Sequence, residues 1–360
     1  MSQPTHTLWH ERAALAQRSL LEHYWNTDAE FFEVRVPFQA TPNDLPSDPF
    51  HYWWQAHAID TVLDAFERDG DPQHLERVGA LLRGVLERNG GQIVNDYYDD
   101  MAWMALALLR AYLLSGQNEF LQRTLELWTD LQGGWNEHCG GGVAWKKSQL
   151  DYKNTPANAP VAILAARLHR HFGRTQDLEW AVKIYDWLEH HLVDPESGFV
   201  WDGMNREGNG LVDLEWTLSY NEGTFIGAAQ ALWLETGDPR YRNAARRTLE
   251  ATLAKLCDPH TLELPMEGGG DGGLFKGILA RYATDLALDG DLGALELLEA
   301  NAKLLWKAQS ESLLFGPSWT QSAPAPNDLS SHLSGVMLLE AVAKLEKAGK
   351  LEGNLSLRSS

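Results

Sequence analysis

The 360-residue sequence predicts an all-α fold whose helices pair into a closed double ring. Three observations predict it. Apolar residues recur at helical spacing almost throughout. Five short glycine-bearing turns recur at intervals of about fifty residues, the mark of a helical array. The segments between those hairpins are longer and rich in Gly, Pro and Trp.

Helices are predicted near 8–25, 50–68, 73–88, 99–114, 118–131, 156–172, 176–191, 221–236, 240–256, 274–288, 292–310 and 331–347. The one strand-like stretch runs from Phe31 to Phe38. The short turns are Asp69-Gly70-Asp71-Pro72, Ser115-Gly116-Gln117-Asn118, Gly173-Arg174-Thr175, Thr236-Gly237-Asp238-Pro239 and Asp289-Gly290-Asp291. In each, glycine supplies a left-handed C-cap and Asp, Asn or Thr caps the next helix. Twelve helices in six hairpins close into a ring, with short turns at one end. The long loops 26–49, 89–98, 132–155, 192–220, 257–273 and 311–330 lie at the other. Sites are usually built on long loops held by a rigid scaffold. An open α-solenoid is the alternative, but it would keep a more uniform repeat and fewer irregular loops. Residues 1–350 read as one domain and 351–360 as a polar tail.

Apolar residues make up 44% of the chain, enough for a sizeable core, and most of the fifteen tryptophans are expected to fill it. The formal net charge of −20 disfavours nucleic acid and anionic membranes as partners but does not penalise a neutral polysaccharide. Cys139 and Cys257 form neither a disulfide framework nor a zinc-site spacing. No metal or cofactor is expected; the oligomeric state is left open. The longest apolar run, Met101 to Leu109, is too short to span a bilayer, and Met1 to Leu20 carries no signal-peptide pattern. The expected location is therefore cytoplasmic. Asn354-Leu355-Ser356 matches a glycosylation triplet in the tail.

Chemistry is carried first by Tyr97-Tyr98-Asp99-Asp100-Met101-Ala102-Trp103, where two carboxylates stand at a loop–helix junction. One reading makes them a cap and a helix-dipole partner. The other makes them the acid pair of a glycosidase, one ionised and one kept protonated by like charge and by aromatic cover from Tyr97, Tyr98 and Trp103. In Cys139-Gly140-Gly141-Gly142, the glycines let backbone approach a ligand, or they form a tight loop. Trp145 offers a flat face, and Lys153 and Asn154 offer donors for sugar hydroxyls. Val200-Trp201-Asp202-Gly203, Tyr220-Asn221-Glu222-Gly223-Thr224 and Gly268 to Gly277 fall on the same end of the ring. His51, His57, His138 and His332 show no metal-ligand spacing.

These motifs, in this order, resemble glycoside hydrolase family 76, the α-1,6-mannanases. The resemblance runs from about Trp53 to about Leu286. It rests on Tyr98-Asp99-Asp100 with Trp103, Leu106-Ala107-Leu108, Ala111-Tyr112, Cys139-Gly140-Gly141-Gly142 with Trp145, and Tyr152-Lys153-Asn154. Tyr220-Asn221 with Gly223-Thr224, Phe275-Lys276-Gly277-Ile278 and Arg281-Tyr282 complete it. It implies an (α/α)6 barrel and hydrolysis of an oligosaccharide or polysaccharide with retained anomeric configuration. Asp99 would be the nucleophile and Asp100 the general acid/base. Asp202 would be a subsite carboxylate, with Trp145, Tyr152, Asn154, Tyr220, Asn221 and Phe275 lining the cleft. Two departures, the missing export signal and Glu222 where the family usually has Gln, point toward a short oligosaccharide rather than fungal cell-wall mannan. A hexose epimerase working through histidines, a non-catalytic glycan-binding protein and an α-glucosidic hydrolase are the rival functions.

Overall fold

A computed structural model describes residues 8–37 and 51–351. Its helices are α1 (Leu8–Tyr24), α2 (Tyr52–Asp69), α3 (Pro72–Arg88), α4 (Tyr98–Ser115), α5 (Asn118–Gln132), α6 (Thr155–Phe172), α7 (Thr175–His191), α8 (Ser219–Thr236), α9 (Pro239–Lys255), α10 (Gly272–Leu288), α11 (Leu292–Ala308) and α12 (Leu329–Lys347). All twelve expected helices are therefore present among the described residues. The tail from 352 on, with its Asn354-Leu355-Ser356 triplet, and Phe38 lie outside them.

The even-numbered helices form the inner ring: each packs on the next, and α12 closes back onto α2. The odd-numbered helices lie outside, each against its hairpin partner. Five pairs are joined by the short turns; the sixth is α1 against α12, the first helix packed on the last. This is the (α/α)6 barrel. Burial follows the layers. In α8 every residue from Ser219 to Gln230 is buried, whereas α3 buries only a stripe of Val78, Leu81, Leu82, Gly84 and Val85. Where inner helices touch, glycine sets the distance. A Cβ on Gly223 would stand 2.6 Å from Leu279 Cα of α10, and one on Gly277 would stand 2.7 Å from Ser334 Cα of α12. Backbone cannot swing aside as a side chain can. Gly223→Ala is therefore expected to cost about 2 kcal/mol or more, read from a denaturant midpoint.

The turns largely follow the capping logic. Gly70, Gly116, Gly173 and Gly237 are left-handed C-caps, each donating its N–H to the carbonyl four residues back. Asp71, Asp238 and Asp291 cap the following helices. Asn118 and Thr175 do not: each is already helical, behind Gln117 and Arg174, which make no side-chain cap.

The long loops hold more strand than the sequence suggests. The stretch from Phe31 splits into β2 (Phe31–Phe32), which pairs with β1 (Trp25–Asn26), and β3 (Arg35–Val36), which pairs with β7 (Asn327–Asp328). An antiparallel sheet of β4 (Ala144–Lys146), β5 (Gln149–Asn154) and β6 (Gly203–Met204) was not expected at all. It ties the loop before α6 to the loop before α8.

Because every inner helix starts from a long loop, all six inner N-termini face the loop end. Their partial positive charges converge there. Toward the opposite end, a lattice of ion pairs crosses the barrel interior. Arg110 of α4 meets Asp60 at 2.6 Å and Asp64 at 2.7 Å, both on α2. Arg281 of α10 meets the same two carboxylates at 3.1 and 2.7 Å.

Candidate active site

The loop end opens into a cleft of about 860 Å³. Asp99 and Asp100 lie in the first turn of α4 and both line it. They are not the helix cap: Tyr97 holds that position. Asp99 has two donors. Its Oδ1 accepts the Asp100 backbone N–H at 2.9 Å, and its Oδ2 accepts the Trp145 indole N–H at 3.0 Å. Asp100 has one, the Asn95 amide, at 3.2 Å from Oδ2.

This asymmetry divides the pair electrostatically. Burial raises Asp99, but the two N–H donors hold it back, at about 7. Burial raises Asp100 further, and the neighbouring charges of Asp99 and Asp271 add to it. At neutral pH one proton therefore rests mainly on Asp100 while Asp99 ionises. Trp145→Phe removes one of the donors and is expected to raise Asp99. The acid limb of kcat/KM should move to higher pH, with about tenfold loss at neutral pH that recovers as pH rises. An unmoved limb would exclude this part for Trp145.

Further along the same cleft stands a second polar group. Asp202 is buried, and its Oδ1 accepts from the Tyr220 hydroxyl at 2.9 Å and the Asn221 amide at 3.3 Å. Its Oδ2 accepts from Arg206 at 2.7 Å and from the Tyr152 hydroxyl at 3.2 Å. Arg206 also bonds Asp213 at 3.0 Å, and its guanidinium lies 4.0 Å from the Trp216 ring. Burial raises Asp202, and these donors oppose it. Phe275 stacks on Tyr220 at 3.9 Å between ring centroids and forms an aromatic wall. Asn154 lines the cleft with its Oδ1 unpartnered among the described residues.

Of the residues expected at the site, Asp99, Asp100, Trp145, Tyr152, Asn154, Asp202, Tyr220 and Phe275 line one cleft. Asn221 does not; it is fully buried behind Asp202 and orients it. Trp145 acts less as a flat platform than as a donor, with the Lys146 ammonium 4.5 Å over its ring. Lys153 is turned away from the cleft and binds Asn136 Oδ1 at 2.8 Å and the Gly142 carbonyl at 2.7 Å. The glycine triplet serves packing: a Cβ on Gly141 or Gly142 would strike Trp135 or Trp187. Tyr98 is buried against Gly134, so Tyr97 and Trp103 supply the aromatic cover.

Glu222 is also outside the cleft. It is buried, accepts the Val200 N–H at 2.9 Å and is kept protonated by burial. Glu222 therefore does not form part of the cleft surface.

The four histidines singled out in the sequence do not come together as a proton-transfer set. His57 and His332 are buried and held neutral by burial, each with a pKa lowered to about 3. His138 is exposed in a 3-10 turn, and only His51 lines the cleft. Among the described residues no cluster of His, Cys, Asp and Glu could hold a metal.

Sequence reasoning missed Arg206, Trp216, Trp53 and Asn95 as cleft residues, and it placed Asp271 at the loop end without giving it a role. The consecutive tryptophans Trp53-Trp54 opening α2 were the available signal for one of them.

The family model for glycosyl hydrolase family 76 matches residues 8–350. A mannan endo-1,6-alpha-mannosidase, DCW1 of Candida glabrata, is 28% identical over 259 residues, 66% of this chain. The chain spans 58% of the length of that relative. Among solved structures, the Lin0763 protein of Listeria innocua is 38% identical with a TM-score of 0.89, covering 95% of this chain and 98% of that one. An inactive variant of the alpha-1,6-mannanase GH76A of Salegentibacter sp. HEL1_6, altered at two adjacent aspartates and bound to alpha-1,6-mannotriose, is 37% identical. Its TM-score is 0.87, covering 94% of this chain and 99% of that one. An acid pair opening α4 of an (α/α)6 barrel, together with a family match across the whole described barrel, makes this chain a member of glycosyl hydrolase family 76.

Proposed function

We propose that this protein is a retaining glycoside hydrolase that cleaves α-1,6-mannosidic bonds in mannan or mannooligosaccharides, endo-acting as the names of its relatives describe. One observation carries the reading. Two adjacent carboxylates share the cleft floor with unequal donor sets, so one ionises while the other keeps a proton. In the first step Asp99 attacks the anomeric carbon, and Asp100 gives its proton to the leaving glycosidic oxygen. In the second, Asp100 takes a proton from water, which displaces Asp99 and releases the sugar. Retention requires the two carboxyl groups to lie only about 5–5.5 Å apart.

Tyr152, Asn154, Asp202, Tyr220 and Phe275 then hold the sugars, with Asn221 and Arg206 steadying Asp202. The triose complex of the Salegentibacter relative supports α-1,6-linked mannose as the ligand. Incubation with α-1,6-mannooligosaccharides and matched α-glucosides, followed by mass spectrometry, tests the specificity. Shorter mannosides are expected from the first set. Products from the glucosides alone would reject the mannose assignment, and binding without products would reject the enzyme.

A further inference from the structure

Asp271 lies far from the acid pair in sequence, in the glycine-rich run before α10, yet it lines the same cleft. It stands at the N-terminal boundary of α10 but makes no capping hydrogen bond. Instead its Oδ1 accepts both indole N–H groups of the Trp53-Trp54 pair, at 3.0 and 2.9 Å. Two donors on one oxygen fix the carboxylate, and Oδ2 has no partner among the described residues. The side chain is exposed to the cleft, next to Trp53 and Phe275. A fixed, half-used carboxylate beside an aromatic wall suits a sugar, whose face packs on the ring while its hydroxyls donate to the free oxygen.

Building on the reading of the cleft as an α-1,6-mannosidase site, we propose that Asp271 is a substrate-positioning residue. Its free oxygen accepts hydroxyl hydrogen bonds from the mannosyl unit between Phe275 and the acid pair, and turns the anomeric carbon of that unit toward Asp99.

The same group has a second effect on the reaction. The groups facing the acid pair are Tyr52 from α2, Asn95 from the loop before α4, Trp145 from β4, Tyr220 from α8 and Asp271 from α10, with Asp202 and Glu267 further along the cleft. The Asp271 charge acts on both members of the pair and raises both carboxyls. It thereby helps keep the proton on Asp100.

Asp271→Asn keeps an oxygen acceptor for both indoles and removes the charge; Asp271→Ala removes both. The whole chain and α-1,6-mannotriose are used, with kcat and KM followed across pH. Asp271→Asn is expected to melt as the wild type does and to lose on the order of 10- to 100-fold in kcat/KM, mostly in kcat. Both limbs of its pH profile should move to lower pH by about half a unit or more. Asp271→Ala should lose more. Limbs that stay in place, with activity within about twofold of wild type, would overturn the proposal even if Asp271→Ala fails to fold. A wild-type enzyme inert on the triose and on longer α-1,6-mannooligosaccharides would overturn the α-1,6-mannosidase reading and this proposal together. An active wild type with an indifferent Asp271→Asn would overturn this proposal alone.

Discussion

Asp99→Ala is expected to lower kcat on the order of 10⁴-fold or more while leaving the barrel folded. Without the carboxylate no glycosyl-enzyme can form. A small anion such as azide can take its place from the same face, and the product is then a mannosyl azide of inverted configuration. Asp100→Ala should differ in kind. With an activated aryl leaving group it needs no proton donor in the first step, and azide then attacks the glycosyl-enzyme to give the retained azide. Exchanged azide configurations would reverse the two roles.

The same residue carries a stability signature. The Asp99 carboxyl is raised by burial to about 7 in the folded protein. A carboxyl raised on folding favours the fold fully below its unfolded pKa, and that contribution is lost as pH rises through the folded value. Asp99→Asn has no such loss. Its melting temperature should exceed that of the wild type by a few degrees at neutral pH, and the gap should shrink as pH falls toward about 4. An inactive variant that melts higher than its parent is the mark of a functional acid held at a cost to the fold.

The second large effect is expected at the other end of the barrel. Arg281 reaches from α10 to Asp60 and Asp64 on α2, two helices that are not neighbours in the inner ring. Burial pushes both carboxyls up, but Arg281 and Arg110 outweigh it and hold them below the usual carboxylate range. Arg281→Met leaves two partly buried carboxylates with one cation between them. A loss of about 3–5 kcal/mol is expected, because the deletion strands buried charge rather than removing a neutral pair. Activity per folded molecule should stay near wild type, since Arg281 does not line the cleft. Urea unfolding followed beside single-point activity separates the two; a midpoint unchanged from wild type would contradict the structural role. Depressed carboxyls contribute stability above their unfolded pKa and lose it as pH falls through the folded one. The lattice should therefore hold through mildly acidic pH and fail only in strong acid.

The ring was legible because inner and outer helices differ in a way sequence records. An outer helix such as α3 shows a stripe, an inner helix such as α8 is apolar or small on nearly every side, and glycine marks each short turn. The three-stranded sheet was not legible. Its strands are two to six residues long, polar in part, and paired across loops far apart in sequence. At the site, Asp99 and Asp100 announced themselves by adjacency and Asp202 by its Trp-Asp-Gly setting. Asp271 and Arg206 did not, because their meaning comes from facing groups on other helices, and sequence carries no register across the barrel. The same gap explains Lys153 and the glycine triplet. Both belong to the pattern of the family, yet they serve the wall behind the cleft.

Neighbouring acids at the mouth of the barrel are proposed to work by double displacement. Proton NMR of the first product released from an α-1,6-mannooligosaccharide tests it most directly. The α-anomer is expected first, with the β-anomer appearing only as mutarotation proceeds. A β-anomer formed first would mean a single displacement by water and would contradict the roles given to Asp99 and Asp100.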